Sequence, residues 1–217
     1  MIAKGKLGAG DLLWSEDRNT MRFAVVLEPD VKRERCGEMV HLLMVAFGDA
    51  AGSISAPEIA INYRWPSEIL VNEASVGSVG VTLSDEDSDN VPNWMILGIS
   101  IAIAPNTAIQ DPGIDADRTT MWDEGCGDIS RTELLESVSR HLVNWIHNWS
   151  EDGFRPVHEQ WMGRISEKSK ILPSITAGEF QGLDEHGNAL VETESRTTIF
   201  ETLDALETIR NAAIQES

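Results

Sequence analysis

The sequence predicts an α+β protein, in which a mixed, largely antiparallel sheet is packed with helices and is followed by a small C-terminal β-barrel-like unit. Short alternating apolar segments recur through the first hundred residues and again near the C-terminus. Two stretches with helical spacing separate them, one around residue 40 and one beginning at Ser130. Strand patterns repeat every two residues and helical patterns every 3.6, so the two kinds of segment are distinguishable.

Turn residues define the first strands and the first helix. Asp11–Trp14 and Arg22–Leu27 are short apolar strand candidates joined by a polar turn. Glu28-Pro29-Asp30 then ends the second strand. A helix is predicted from Val31 to about Ala50, because apolar residues recur there on one face: Met39, Leu43, Phe47 and Ala50.

Four further strands complete the predicted main sheet. Glu58–Tyr63 alternates clearly, and strands follow at about residues 69–71, 76–83 and 94–103. The strongly acidic connector 84–93 is typical of an exposed hairpin loop. The segment from about residue 104 to Ile129 lacks periodicity, and long loops of this kind are often functional.

The second half of the chain begins with a long helix. Ser130-Arg131-Thr132-Glu133 fits the capping-box pattern, and Gly153 ends the apolar stripe that follows. A shorter helix is predicted over 154–162, then strands at 177–183, 189–192 and 197–200, and a terminal helix or tail from about Leu203. We place the domain boundary near Lys168 to Pro173, which divides the chain into 1–168 and 169–217.

Charge and cysteine content limit the classes of function. Seventeen basic residues stand against 36 acidic ones, for a net charge of −19. Such a chain repels nucleic acid and anionic lipid, so neither is an expected partner. No apolar run is long enough for a membrane span. Only two cysteines are present, which predicts a reduced, cytoplasmic setting rather than a disulfide scaffold.

No metal site is predicted. Asp85, Asp87 and Asp89 imitate the start of a calcium loop, but Asn90 replaces the required glycine and Ile96 the final glutamate. His141 and His147 are six residues apart on the predicted long helix, and therefore lie on different faces. The acidic loop is interpreted as a charged surface turn.

One stretch of sequence resembles a known family. Arg64-Trp65-Pro66-Ser67-Glu68, followed by the glycine-containing segment Val76–Val81, is similar to the K-W-P-N-D…K-x-x-G-I-L core of the biotin and lipoate protein ligases. Residues 96–101 resemble the family's G-x-G-I-N strand. Residues 178–187 resemble the opening of the C-terminal domain of biotin ligases.

The resemblance implies a function and a set of ligands. The family joins biotin or lipoate to ATP, forms an acyl-adenylate, and passes the acyl group to a lysine of a carrier domain. It thus implies biotin and ATP as ligands, an acyl-carrier domain as partner, and a homodimer as in some relatives. The matching positions give the candidate ligand-binding residues: Arg64, Trp65, Pro66, Ser67, Glu68, Gly77 and Gly98.

The departures from the family pattern affect the chemistry. The family's arginine-rich G-R-G-R-R-G loop has no counterpart in residues 8–17, and its reactive lysine falls at Ser75. Losing one charge-stabilising donor typically costs about 10²- to 10³-fold in rate. We therefore expect the cleft beside Trp65 to lack a basic lining. The leading interpretation is a divergent, catalytically silent protein that binds a biotin-like or acyl molecule or a protein partner.

Two alternatives remain open from the sequence. An active ATP-dependent ligase would need its cations from elsewhere, such as Arg118, Arg155 or Lys168. A cysteine-dependent acyltransferase would use Cys126, although no basic residue stands beside it to lower its pKa. Ser75 and Cys126 are accordingly the two candidate catalytic residues.

Overall fold

A computed structural model describes residues 7–84, 89–105, 117–127, 129–168, 170–172, 174–175, 178–193 and 196–215. The α+β class is confirmed. Six strands form the main sheet in the order β1-β2-β6-β5-β4-β3, and every neighbouring pair is antiparallel. The strands are β1 (Leu12–Trp14), β2 (Thr20–Leu27), β3 (Ile61–Arg64), β4 (Glu68–Val71), β5 (Ala74–Leu83) and β6 (Met95–Ala102).

Helix α1 (Glu38–Ile54) is the centre of the hydrophobic core. It contacts β3, β5 and β6 on one side and the helices α2 (Arg131–Asp152) and α3 (Arg155–Met162) on the other. Because it is covered on both sides, it is buried almost all round rather than along one stripe. The helix was predicted from Val31, but Arg33–Arg35 form a separate 3-10 turn.

The start of α2 confirms a local sequence signal. The Ser130 hydroxyl accepts a hydrogen bond from the backbone N–H of Glu133 at 3.1 Å, as an N-cap residue does. The buried residues Leu134, Val138 and Leu142 follow at helical spacing and face α1 and the core. Gly153, with φ of 73°, ends the helix.

The C-terminal unit is a three-stranded antiparallel sheet followed by a helix. Strands β7 (Glu179–Leu183), β8 (Ala189–Thr193) and β9 (Arg196–Phe200) pair in chain order, and α4 (Thr202–Gln215) follows. The described strands form an open sheet, whereas the sequence predicted a barrel-like unit. The predicted terminal helix or tail is a helix of 14 residues.

The two faces of the main sheet have different surroundings. Buried side chains of β2, β5 and β6 alternate with less buried ones, as expected when one face packs on helices. The buried set, which includes Phe23, Val79 and Ile99, belongs to the core with α1. We call the opposite side the outer face, and α4 lies over part of it.

Candidate functional site

The outer face of the sheet forms the floor of a cavity of about 810 Å³. Three rows of aligned residues cross β2, β6 and β5 there. The middle row is Ala24, Gly98 and Gly80, so it has almost no side chains. The polar row on one side of it consists of Arg22, Ser100 and Ser78. The mixed row on the other side consists of Val26, Ile96 and Thr82.

The glycine row leaves the strand backbone open to a bound molecule. A Cβ atom built on Gly80 would meet no heavy atom within 4 Å, so the space above it is empty. A Cβ on Gly98 would lie 3.4 Å from the Phe23 carbonyl oxygen, which is ordinary contact. Glycine within a strand often marks a close approach by a ligand. Packing within the protein does not require glycine at position 80. A bound molecule that lies against the strand backbone there would require it.

Helix α4 closes the cavity opposite this floor. Leu203, Leu206 and Ile209 contribute apolar surface, and Glu207 and Arg210 add a charged pair. The nitrogen of Arg210 lies 3.3 Å from the carboxylate of Glu207, and both side chains are about half exposed. The cavity is therefore bounded by the N-terminal sheet and the C-terminal helix together.

Three arginines line the cavity, and this corrects the expectation of a cleft without a basic lining. Arg22 donates from Nε to the Ser100 hydroxyl at 3.1 Å. The Nε atom of Arg33 is buried and has no hydrogen-bond partner among the described residues. Arg210 approaches from α4. Since guanidinium groups bind carboxylates and phosphates through several donors, the cavity suits an anionic group.

The predicted ligand residues separate into two groups. Ser67 and Gly98 line the cavity, whereas the other five candidates do not. Gly77 has a packing role: a Cβ there would lie 1.9 Å from the Ser100 carbonyl oxygen, so the close pairing of β5 with β6 requires glycine. Arg64 forms an ion pair of 2.8 Å with Glu68 across the β3–β4 hairpin, which balances its charge locally.

Trp65 joins the main sheet to the C-terminal unit. The Trp65–Pro66 peptide bond is cis, and the Trp65 side chain is fully buried. Its indole N–H lies 3.2 Å from the Gly187 carbonyl oxygen and 3.1 Å from the Thr202 hydroxyl. The tryptophan that was expected in a cleft wall instead makes its hydrogen bonds to the turn before β8 and to the start of α4.

The two candidate catalytic residues lie outside the cavity lining. Ser75 is buried, and its backbone pairs with Asp117 and Thr119. Cys126 is buried beside Ser55, whose hydroxyl lies 3.8 Å from the sulfur. Burial raises the pKa of the Cys126 thiol, against a lowering by Ser55, and Glu124 raises it further. A cysteine nucleophile needs the thiolate, so this environment gives an acyltransferase role no support.

The basic residues proposed as replacements also lie outside the cavity lining. Arg118 is exposed and bridges to Ser75 through the backbone. Arg155 is exposed on α3 and pairs with Glu159 at 2.9 Å. Lys168 is exposed, and its backbone N–H lies 3.5 Å from the Glu73 carboxylate. The sequence did not single out Arg22, Arg33 and Arg210, which are the arginines that line the cavity.

Among the described residues, no group of three or more His, Cys, Asp or Glu side chains is arranged to hold a metal ion. Asp85 and Asp87 of the calcium-like segment lie outside the described residues, and Asp89 pairs with Lys32 at 3.3 Å. In the described part of the chain, no helix has the length and hydropathy that crossing a bilayer requires.

Most of the chain matches one protein family. The profile of the biotin/lipoate A/B protein ligase family matches residues 1–163, which is most of the chain. The chain belongs to the biotin/lipoate A/B protein ligase family. The resemblance carried by Trp65-Pro66 and the glycine strand is therefore confirmed at the level of the family.

Individual members of this ligase family are distant in sequence. The biotin–[acetyl-CoA-carboxylase] ligase of Paracoccus denitrificans is 20% identical over 179 residues, covering 80% of this chain and 74% of that protein. The bifunctional ligase/repressor BirA of Bacillus subtilis is 24% identical over 187 residues, covering 82% of this chain. The chain spans only 55% of the length of that Bacillus protein.

Solved structures of ligase-family proteins share the fold. A biotin protein ligase-like protein of unknown function from Silicibacter sp. TM1040 has a TM-score of 0.84 at 28% identity, covering 94% of this chain and 87% of that one. The biotin protein ligase of Aquifex aeolicus has a TM-score of 0.72 at 21% identity, covering 92% and 89%. The Aquifex enzyme has also been solved in complex with biotin and ATP.

Proposed function

We propose that this chain binds a small carboxylic acid of the biotin or lipoate type in the cavity over the outer face of its sheet, and that it does not adenylate that acid. The observation that supports this most is the side-chain-free floor at Gly80 and Gly98 beside the arginine Arg22. An apolar, open floor accommodates the body of such a molecule, and a guanidinium group accommodates its carboxylate.

The absence of adenylation rests on which cations are available. By the family resemblance, the triphosphate is handled by an arginine-rich loop and by lysines. Ser75 stands where the reactive lysine is expected, and Arg64 is engaged with Glu68 at 2.8 Å. None of the described residues that line the cavity is a lysine. Arg22, Arg33 and Arg210 do line the cavity, but none of them stands at a position that the resemblance assigns to nucleotide handling.

A second candidate function is ATP-dependent ligation of biotin or lipoate to a carrier domain. Arg22, Arg33 and Arg210 favour it, because cations that line one cavity can stabilise the charge that develops on a transferring phosphoryl group. The name of the Paracoccus relative, a ligase acting on acetyl-CoA carboxylase, suggests a carboxylase carrier domain as acceptor under this alternative.

Calorimetric titration separates these functions. Biotin, lipoate, octanoate and ATP are each titrated into the purified chain. We expect measurable heat with at least one of the acids and none with ATP, because the acids match the floor and a single cation suffices for a carboxylate. Acid-dependent exchange between pyrophosphate and ATP is measured in parallel. Exchange above background would replace the binding function with the ligase function.

The floor itself is tested by adding side chains to Gly80. Gly80→Ala and Gly80→Val place one and then three carbon atoms in open cavity space, and valine is favoured in strands. We expect acid binding to weaken with each step, by at least about tenfold for valine, since about 1.4 kcal/mol of lost contact is a tenfold change.

Gly52→Ala is the matched control for this series. It also adds a Cβ where no heavy atom lies within 4 Å, but on α1 and away from the cavity lining. Its affinity for the acid is expected to equal that of the unmodified chain. Binding that survives Gly80→Val unchanged would mean that the acid does not lie on this floor.

A further inference from the structure

The C-terminal helix α4 has a face whose role the family resemblance does not explain. Leu203, Leu206 and Ile209 recur at three-residue intervals, and Arg210 follows directly. All four line the cavity. On a helix, residues three, four and seven positions apart share one face, so Leu203, Leu206 and Arg210 form a single stripe that ends in a cation.

The dimensions of this stripe suit an amphiphilic molecule. Arg210 lies seven positions after Leu203, which is about 10 Å along the helix axis at about 1.5 Å per residue. Leu203 is buried and packs near Gly37 at the start of α1, with its Cγ 3.7 Å from the position of a Cβ there. The stripe therefore runs from a fixed, apolar end to a half-exposed, charged end.

Arg210 on α4 can exchange its ion-pair partner for a bound anion. Arg210 and Glu207 lie 3.3 Å apart with side chains 52% and 47% exposed. Exposed ion pairs of this kind contribute little stability, because water screens both charges. An anionic group that enters the cavity can thus replace Glu207 at Arg210 at small cost.

We propose that α4 is a recognition helix that forms the roof of the cavity, with Arg210 as the residue that selects a carboxylate and Glu207 as its internal competitor. This inference rests on the proposed function, namely that an acid binds over the sheet. It adds that the C-terminal unit supplies part of the site, in a chain whose N-terminal segment has no counterpart of the family's arginine-rich loop.

The test compares substitutions with opposite expected effects on binding of biotin and octanoate to the full-length chain, measured by calorimetry. Arg210→Gln removes the selecting cation, and we expect at least about tenfold weaker binding, since a charged hydrogen-bond donor to the carboxylate is lost. Glu207→Gln removes the competitor and a negative charge, and we expect binding to become about two- to fivefold tighter.

Arg155→Gln is the matched control, because Arg155 also pairs with a glutamate on a helix surface but does not line the cavity. Its affinity is expected to be unchanged. A merely structural role of α4 would make both the Arg210 and the Glu207 variants bind more weakly. If the unmodified chain binds an acid and both variants bind it equally well, α4 is not the recognition element. If the unmodified chain binds neither acid, the proposed function itself fails.

Discussion

Glu38→Ala is expected to destabilise the protein by about 3 kcal/mol, the low end of the range for breaking a buried ion pair, because Arg35 is one-third exposed. The Glu38 side chain is fully buried at the start of α1. Arg35 contacts both of its carboxylate oxygens, at 2.8 and 3.0 Å. The hydrogen bond to Glu38 raises the pKa of Arg35 above its usual value, against a lowering by burial.

Two distant segments also meet at this carboxylate. The indole N–H of Trp149 on α2 donates to it at 2.6 Å, and Nδ1 of His186 in the β7–β8 turn lies 3.0 Å away. The Arg35 guanidinium group in turn lies over the Trp149 ring, 5.4 Å from its centroid. Removing Glu38 would leave these donors without their shared acceptor, so the loss extends to α2 and the C-terminal unit.

Urea unfolding at neutral pH measures this effect. Glu159→Ala is the control, because it also breaks an arginine–glutamate pair between residues close in sequence, but an exposed one. Its unfolding midpoint is expected to match that of the unmodified chain. Glu38→Gln keeps the shape of the side chain while removing its charge. Its unfolding midpoint should lie between those of the Glu38→Ala and Glu159→Ala proteins. A Glu38→Ala protein as stable as the control would show that the buried carboxylate has little structural importance.

Acidification is expected to remove about 2–3 kcal/mol of stability between pH 7.5 and 4.5 through a single buried histidine. His41 on α1 is fully buried, and desolvation lowers its pKa from 6.5 to about 4, against a raising by its hydrogen bond to the Gly187 carbonyl oxygen. Nearby His158 lowers the pKa further and Asp184 raises it. The Nδ1 atom of His41 has no hydrogen-bond partner among the described residues.

The direction of the pH effect follows from comparing the two states. An unfolded histidine takes up a proton below about pH 6.5, whereas the folded His41 resists protonation until about pH 4. The neutral ring therefore contributes stability that is complete above pH 6.5 and is lost as the pH falls toward 4. Below that value both states are protonated, and the contribution is gone.

Urea midpoints measured across this pH range check the prediction. His41→Phe is expected to be less stable at neutral pH, because it loses the bond to Gly187, but to have a shallower dependence on pH. His147→Asn removes an exposed histidine on α2 and should leave the pH profile unchanged. An equally steep profile in the His41→Phe protein would assign the acid sensitivity to other groups.

Local signals in the sequence were enough to predict most elements. The capping box at Ser130 predicted the start of α2, and short apolar segments bounded by turn residues predicted strands of the main sheet. The start of α1 was predicted too early, since apolar spacing does not distinguish a 3-10 turn at Arg33–Arg35 from a helix. Contacts between residues far apart in the sequence could not be predicted. Nothing near Trp65 indicates that its hydrogen-bond partners are Gly187 and Thr202.

The candidate site was predictable only in part for the same reason. Ser67 and Gly98 were identified through the family resemblance, and both line the cavity. Arg22 carries a usable signal, because it stands between the buried Met21 and Phe23 and must therefore point to the other face of the sheet. Arg210 has no such signal, since its place in the cavity depends on how α4 docks on β5.

The carbonyl oxygen of Gly187 is within hydrogen-bonding distance of His41, Trp65 and the Thr202 hydroxyl, at 2.8, 3.2 and 2.8 Å. A Cβ at Gly187 would lie 2.4 Å from the His41 ring, and its φ is 87°, so no other residue fits easily. Replacing the C-terminal unit by that of another family member would therefore succeed only where the replacement presents a glycine turn at this position.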